Sequence, residues 1–366
     1  MRLDIAYRLH FTYAETVSES QNEIRVRPRD DLRQRVLSYR LTTTPATRVL
    51  QTRDYFGTTV DHLGVRGPHD DLLVVAEASV ETMPAASAPA PVSCERLGDQ
   101  QFANQHIEYL APSLHVQWGD LIGEITDWAV NSVDDDVCER VLAIVRSVPT
   151  VLTYERGSTS IGVTLEELVD GGRGVCQDFA HLAVGMLRCT GIPARYVSGY
   201  LFAVDETAPD STPPDSAEEP GAPTAAGDAQ AADHTGIAGN EFIGEDTFVP
   251  THAAAEPAAV SVQTHAWIEA AVPGFGWYAL DPTNGGPVGE RHVVIGHGRD
   301  YNDVAPVRGV FNGSADAEVD AEVIIAQPTA PVSMVTEPIR RQARVAVSPP
   351  ADVSAPQQAA QQQQQQ

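Results

Sequence analysis

One stretch, Gly172-Arg173-Gly174-Val175-Cys176-Gln177-Asp178-Phe179-Ala180-His181-Leu182, constrains the fold more than any other. It sets Cys176 directly behind a glycine-rich turn. From there Phe179, Leu182, Ala183, Met186 and Leu187 recur at helical spacing. The pattern predicts a helix that begins at the cysteine and packs its apolar face on a sheet. The first turn of a helix carries backbone N–H groups without intrahelical partners and the positive end of the macrodipole. Both favour a thiolate, the nucleophilic form of cysteine. The same N–H groups suit the oxyanion formed when sulfur attacks a carbonyl. A structural helix cysteine would lie on the apolar stripe, as Cys138 and Cys189 do in their segments, and Cys176 does not.

A second pair of segments supplies the partners. Val262 to Ala270 and Gly276 to Asn284 read as strands, separated by the turn signal Pro273-Gly274. Alternation puts His265, Trp267 and Glu269 on one face and Trp277, Ala279 and Asp281 on one face of the next strand. With Pro273 and Gly274 as a two-residue loop, Val272 pairs with Phe275 and His265 falls opposite Pro282, one position from Asp281. A bulge or another loop length brings His265 beside Asp281. Cysteine, a histidine to take its proton and a carboxylate to orient the histidine make a triad of Cys176, His265 and Asp281. His181 competes for the role of base, but it lies five residues along from Cys176 and well round the helix. Asp178 is expected to stabilise the first helical turn.

The order Cys…His…Asp, in G-R-G-V-C-Q-D-F-A-H, T-H-A-W-I-E and L-D-P-T-N-G, resembles the bacterial and archaeal transglutaminase-like family of the papain-like cysteine-peptidase group. The likeness extends through Gly191 to Tyr200 and Gly298 to Val310. It also covers the start of the chain, which is similar to the N-terminal β domain of that family. The resemblance implies a nucleophile at Cys176, a base at His265 and an orienting carboxylate at Asp281. It implies an α+β fold: an N-terminal antiparallel β domain, then a core whose Cys-bearing helix packs on an antiparallel sheet bearing His and Asp. No cofactor and no metal are called for, and no calcium-binding loop is present in the sequence.

The expected domains are 1–82, an antiparallel β-sandwich or barrel of short strands; 83–100, an Ala/Ser/Pro linker; and 101–326, the catalytic core. Within the core, 204–260 is an acidic, Pro/Gly/Thr-rich segment expected to be a disordered insertion, whose His234 and His252 are not ligands. Residues 327–366 form a Pro/Ala/Gln-rich disordered tail. Helices are predicted over about Gln117–Asn131, after Asp134-Asp135-Asp136, and at Thr164–Leu168. The acidic triplet reads as a helix cap rather than a metal site.

The net charge of -26 argues against nucleic-acid and anionic-membrane partners. All 24 basic residues are arginine, which fits either a GC-rich genome or a salt-adapted acidic protein. No signal peptide or long apolar run is visible. Four cysteines without disulfide or C-x-x-C spacing fit a reducing, cytoplasmic setting. The partner expected is a peptide or protein amide, with an amine acceptor if the product is a transamidation product. Attack of Cys176 would give a thioester. Hydrolysis then makes a peptidase or amidase, and aminolysis makes a transamidase. The rivals are a noncatalytic peptide-binding module on the same fold and a metal site of Cys176 with His181 or His265.

Overall fold

The computed structural model describes residues 1–159, 162–202, 259–262, 264–313 and 317–328. Most of the segment read as an insertion, with His234 and His252, and the tail from residue 329 lie outside the described residues. In chain order the first elements are β1 (Arg2–Ile24), β2 (Gln34–Thr44), β3 (Val49–Arg53), β4 (Thr59–Thr82), α1 (Gln100–Gln105), α2 (Asp120–Val130) and α3 (Val137–Val151). Next come β5 (Thr153–Tyr154), α4 (Leu165–Gly171), β6 (Arg173–Gly174), α5 (Cys176–Cys189), β7 (Ala194–Leu201) and β8 (Ala259–Val262). The last are β9 (Thr264–Val272), β10 (Gly276–Asp281), β11 (Gly286–Pro287), β12 (His292–Gly298), α6 (Tyr301–Val304), β13 (Val307–Asn312) and β14 (Ala317–Ala326).

The N-terminal sheet is built on two long strands rather than on the short ones expected. In β1 every second residue from Leu3 to Tyr13 is apolar and buried, the period of a strand with one covered face. The ladder between β1 and β4 shifts register between Thr12 and Glu19, close to Gly67-Pro68 in β4. Proline and glycine at such an irregularity look like strand ends in the sequence, although pairing resumes beyond them. On its other side β1 pairs with β14 through Asp4–Tyr13 and with β13 through Glu19–Ile24. Residues 307–312 and 317–326 were assigned from sequence to the catalytic core; their strands pair in the N-terminal sheet. β8 pairs with β14, so Ala259 and Val260, within the 204–260 segment, belong to a strand.

The second large sheet is antiparallel, in the order β11-β10-β9-β7-β12. Helix α5 covers one face. Phe179, Leu182, Ala183, Met186 and Leu187 are all buried and form one core with Ala266, Ile268, Ala270 and Tyr196. Each large side chain in that layer contributes about 1.5–3 kcal/mol relative to exposure. The acidic triplet caps α3 as expected: Asp136 accepts the Cys138 N–H at 3.0 Å, while Asp135 accepts the Ser93 hydroxyl at 2.7 Å. Among the described residues no helix is long and apolar enough to cross a membrane.

The opposite face carries charge and aromatic rings. Arg195 Nε donates to Glu269 at 2.6 Å, and its guanidinium lies 4.0 Å over the Trp277 ring. Arg29, in the segment that follows β1, donates to Nδ1 of His297 at 2.6 Å and anchors its backbone on the Val294 carbonyl at 3.0 Å. Burial, then the charges of Arg195 and Arg29, hold His297 well below the usual imidazole range. Trp267 packs closely on β7 because residue 199 is glycine: a Cβ there would sit 2.3 Å from Trp267 Cη2 and 2.2 Å from the Val293 carbonyl oxygen.

Candidate active site

Cys176 is positioned by what precedes it. α4 ends on Gly172 in the left-handed conformation, φ 63°, which glycine adopts without strain. The next two residues form β6 and pair in parallel with β5, Tyr154 opposite Gly174. Val175 is the N-cap of α5 and Cys176 its first residue. The Asp178 carboxylate turns back to accept the Val175 N–H at 2.9 Å and the Thr159 hydroxyl at 2.6 Å. Gly174 leaves room for this, since a Cβ there would lie 2.8 Å from Asp178 Cβ. Burial raises the Asp178 carboxyl above its usual range, against the pull of these two bonds. The N–H groups of Asp178 and Phe179 both return to the Val175 carbonyl, so the intrahelical ladder begins beyond the N–H of Cys176 and Gln177. Cys176 is half-buried at the floor of a cleft lined by Tyr154, Gln177, Tyr196, Ser198 and His265.

The structure corrects the β9–β10 register. Phe275 N–H bonds the Val272 carbonyl at 3.0 Å around Pro273 and Gly274, with Gly274 at φ 82° as the third position of a type II turn requires. The ladder then resumes at Gly276, φ 102°, so Val272 pairs with Gly276 and not with Phe275. One extra turn residue moves every side chain of β10 by one place. Leu280 pairs with Ile268, which sets Asp281 on the face that carries Trp267 and His265. His265 Nε2 lies 2.8 Å from Asp281 Oδ2. Cys176 and His265 line the same cleft, and the cysteine acts on the imidazole electrostatically. Cys176, His265 and Asp281 are therefore brought together as the sequence suggested, by a turn other than the one assumed.

Asp281 is almost completely buried, with 1 % of its side chain exposed, against 10 % for His265. Its Oδ1 accepts the N–H of Thr283 at 2.9 Å and of Asn284 at 3.2 Å, and its Oδ2 accepts the Asn284 amide at 2.6 Å. Burial alone would raise its carboxyl; the bonds from His265, His292 and Asn284 and the charge on His265 hold it far below the carboxylate range. For His265 burial alone would favour the neutral ring. Hydrogen bonds and charges of Asp281 and Cys176 outweigh it and push the imidazole up to about 10. A histidine raised in this way stabilises the fold fully below its unfolded value of about 6.5, and that contribution is lost as pH climbs through the folded value. Asp281, held low, contributes above its unfolded value and loses that contribution as pH falls. Cys176→Ala removes one of the two supports of His265. Its NMR titration midpoint is expected to drop by at least ~1 unit, and the melting temperature of the variant should decline less than that of wild type between neutral pH and pH ~10.

His292, the first residue of β12, also reaches the site, though no motif in the sequence marks it. Its Nε2 lies 3.1 Å from the same Asp281 Oδ2, and its Nδ1 accepts the Gly289 N–H at 3.3 Å. The ring meets Trp267 edge-on at 5.2 Å, and Trp267 is 6.1 Å from the His265 ring. The donor atoms of His265, Asp281 and His292 all lie within 4.8 Å of one another, a set that could hold a divalent cation. The two contacts to Asp281 have hydrogen-bond length, and protons on the two imidazoles account for them. His181, the competitor for the base, is buried; its Nε2 accepts the Tyr301 N–H at 3.1 Å, and burial holds its imidazole well below the usual range. It is a neutral structural histidine.

A helix-borne cysteine beside a histidine–carboxylate pair on an antiparallel sheet defines a fold of the cysteine-protease type. Residues 124–282 match the transglutaminase-like superfamily core, and residues 3–81 match the bacterial transglutaminase-like N-terminal region, between them more than half of the chain. The chain belongs to the transglutaminase-like superfamily. Among its relatives, ML0607 of Mycobacterium leprae is 28% identical over 324 residues, covering 88% of this chain and 98% of that protein. Rv2569c of Mycobacterium tuberculosis is 29% identical over 350 residues, covering 88% and 91%. Both are described as uncharacterized proteins. Of solved structures, a "Putative Cysteine Protease" from Cytophaga hutchinsonii has the same fold, with TM-score 0.58 and 21% identity over 88% of this chain and 90% of the other.

Proposed function

We propose that this protein carries out cysteine-dependent acyl transfer on a peptide or isopeptide amide, through a thioester on Cys176. The observation that carries the reading is the 2.8 Å bond from His265 to the buried Asp281 carboxylate, in a cleft that His265 shares with a thiol at a helix start. His265 takes the thiol proton and Cys176 attacks the amide carbonyl. The backbone N–H of Cys176 faces the resulting oxyanion. His265 then protonates the departing ammonia or amine, leaving the acyl group on sulfur. Asp281 keeps the ring proton on Nε2 and supports the imidazolium.

Hydrolysis is the favoured second half-reaction. Tyr154 beside the cysteine is 45% exposed, so the cleft admits water to the thioester. Incubation with glutamine-containing and isopeptide-linked peptides, with and without a primary amine, separates the outcomes by mass and ammonia release. A carboxylate product from wild type and none from Cys176→Ala is expected. An amine adduct in place of the acid would make the enzyme a transamidase. Peptide retained but unchanged would make the chain a binding module and end the enzyme reading.

A further inference from the structure

Two histidines, not one, converge on the carboxylate of the triad. We infer that His292 is a positioning residue, which fixes the plane of the Asp281 carboxylate so that one oxygen stays aimed at His265. This rests on the acyl-transfer reading of Cys176 and extends it.

The geometry gives His292 a defined hydrogen-bonding sense. Its Nδ1 accepts the Gly289 N–H at 3.3 Å, so in the neutral ring the proton sits on Nε2 and is donated to Asp281 Oδ2 at 3.1 Å. The ring is 10 % exposed and is held edge-on against the fully buried Trp267. Oδ2 thus receives His265, His292 and the Asn284 amide, while Oδ1 receives only the backbone of Thr283 and Asn284. A carboxylate held by those two backbone bonds alone could rotate about its Cβ–Cγ bond. The side-chain donors from two directions remove that freedom. His292 does not line the cleft; its ring centre lies 6.1 Å from that of His265, and its hydrogen-bonded link to the site is Asp281.

The test is the rate of Cys176 alkylation by iodoacetamide at pH 6, with His265→Ala as reference. His292→Ala should slow it about tenfold, the lower end of what loss of an outer partner of a working histidine costs. His292→Gln, whose amide nitrogen can occupy the place of Nε2, should react like wild type. His292→Asn, whose amide matches Nδ1 and falls short of Asp281, should be as slow as the alanine variant. If His292 acts through Asp281, His292→Ala adds nothing to Asp281→Ala. An undiminished effect in the Asp281→Ala background, or rescue by Asn as complete as by Gln, would show that the ring merely packs and overturn the inference. If His292→Ala does not fold, the Gln–Asn pair decides alone. Should His265→Ala and Asp281→Ala slow the reaction while every His292 variant does not, the triad stands and this inference fails. Should none of them slow it, the acyl-transfer reading itself fails.

Discussion

Asp281→Asn is expected to lower turnover by about 10³–10⁴-fold while the fold is retained, the scale of losing the orienting carboxylate of a triad. The oxygen at Oδ2 receives three donors, from His265, His292 and Asn284. Asparagine can place an oxygen there, but it then offers an NH₂ to the N–H groups of Thr283 and Asn284, donor against donor. The opposite rotamer sets that NH₂ against His265 and moves the ring proton to the nitrogen facing Cys176. In either case the imidazolium loses the charge beside it, in a place where only 1 % of the carboxylate side chain meets solvent. Water cannot substitute. The check is single-turnover ammonia or acid release on the peptide that wild type processes, beside a thermal melt. Activity within tenfold of wild type would reduce Asp281 to a turn residue.

The second large effect is on stability. Glu269→Ala should destabilise the protein by about 3–5 kcal/mol, the range for removing one partner of a buried ion pair. Arg195 and Glu269 are 15% and 12% exposed, and Arg29 adds a second guanidinium to the cluster through His297. Without Glu269 those two cations share a dry face with a histidine that burial keeps neutral. Trp277 under Arg195 offers only a cation–π contact in return. Urea unfolding reads the change directly. Glu269→Gln, which keeps the hydrogen bond to Arg195 and drops the charge, should fall between. A loss under about 1 kcal/mol would mean the cluster is solvated as a surface pair is.

What could be read from the sequence was local. Cys176 declared itself by its place between a glycine turn and a helical apolar stripe, and His265 and Asp281 by strand alternation on either side of Pro273-Gly274. Their neighbourhood was legible, although the register was not. Gly276 at positive φ adds a turn residue, and nothing in a two-residue Pro-Gly signal counts it. The N-terminal sheet was legible as antiparallel β, but its partners were not. β13 and β14 reach β1 across some 300 residues, and alternation says which face is buried without saying which strand lies alongside. His292 was invisible for a related reason. It reaches Asp281 only because the chain after β10 crosses the sheet by way of Val288, which packs against Trp267. A lone histidine at a strand start carries no trace of that crossing.

If Cys176 is the nucleophile and His265 its base, Cys176 should stand apart from the other cysteines in its reactivity. Burial raises the thiol of Cys94, that of Cys138 to about 11, and that of Cys189, so none of the three should react readily in the folded protein. Treated with iodoacetamide at pH 6 and mapped by intact and peptide mass, wild type should carry one label, on Cys176. His265→Ala should slow that labelling to the rate of an ordinary thiol. Label spread over several cysteines, or a Cys176 rate indifferent to His265, would mean that Cys176 is not an activated nucleophile.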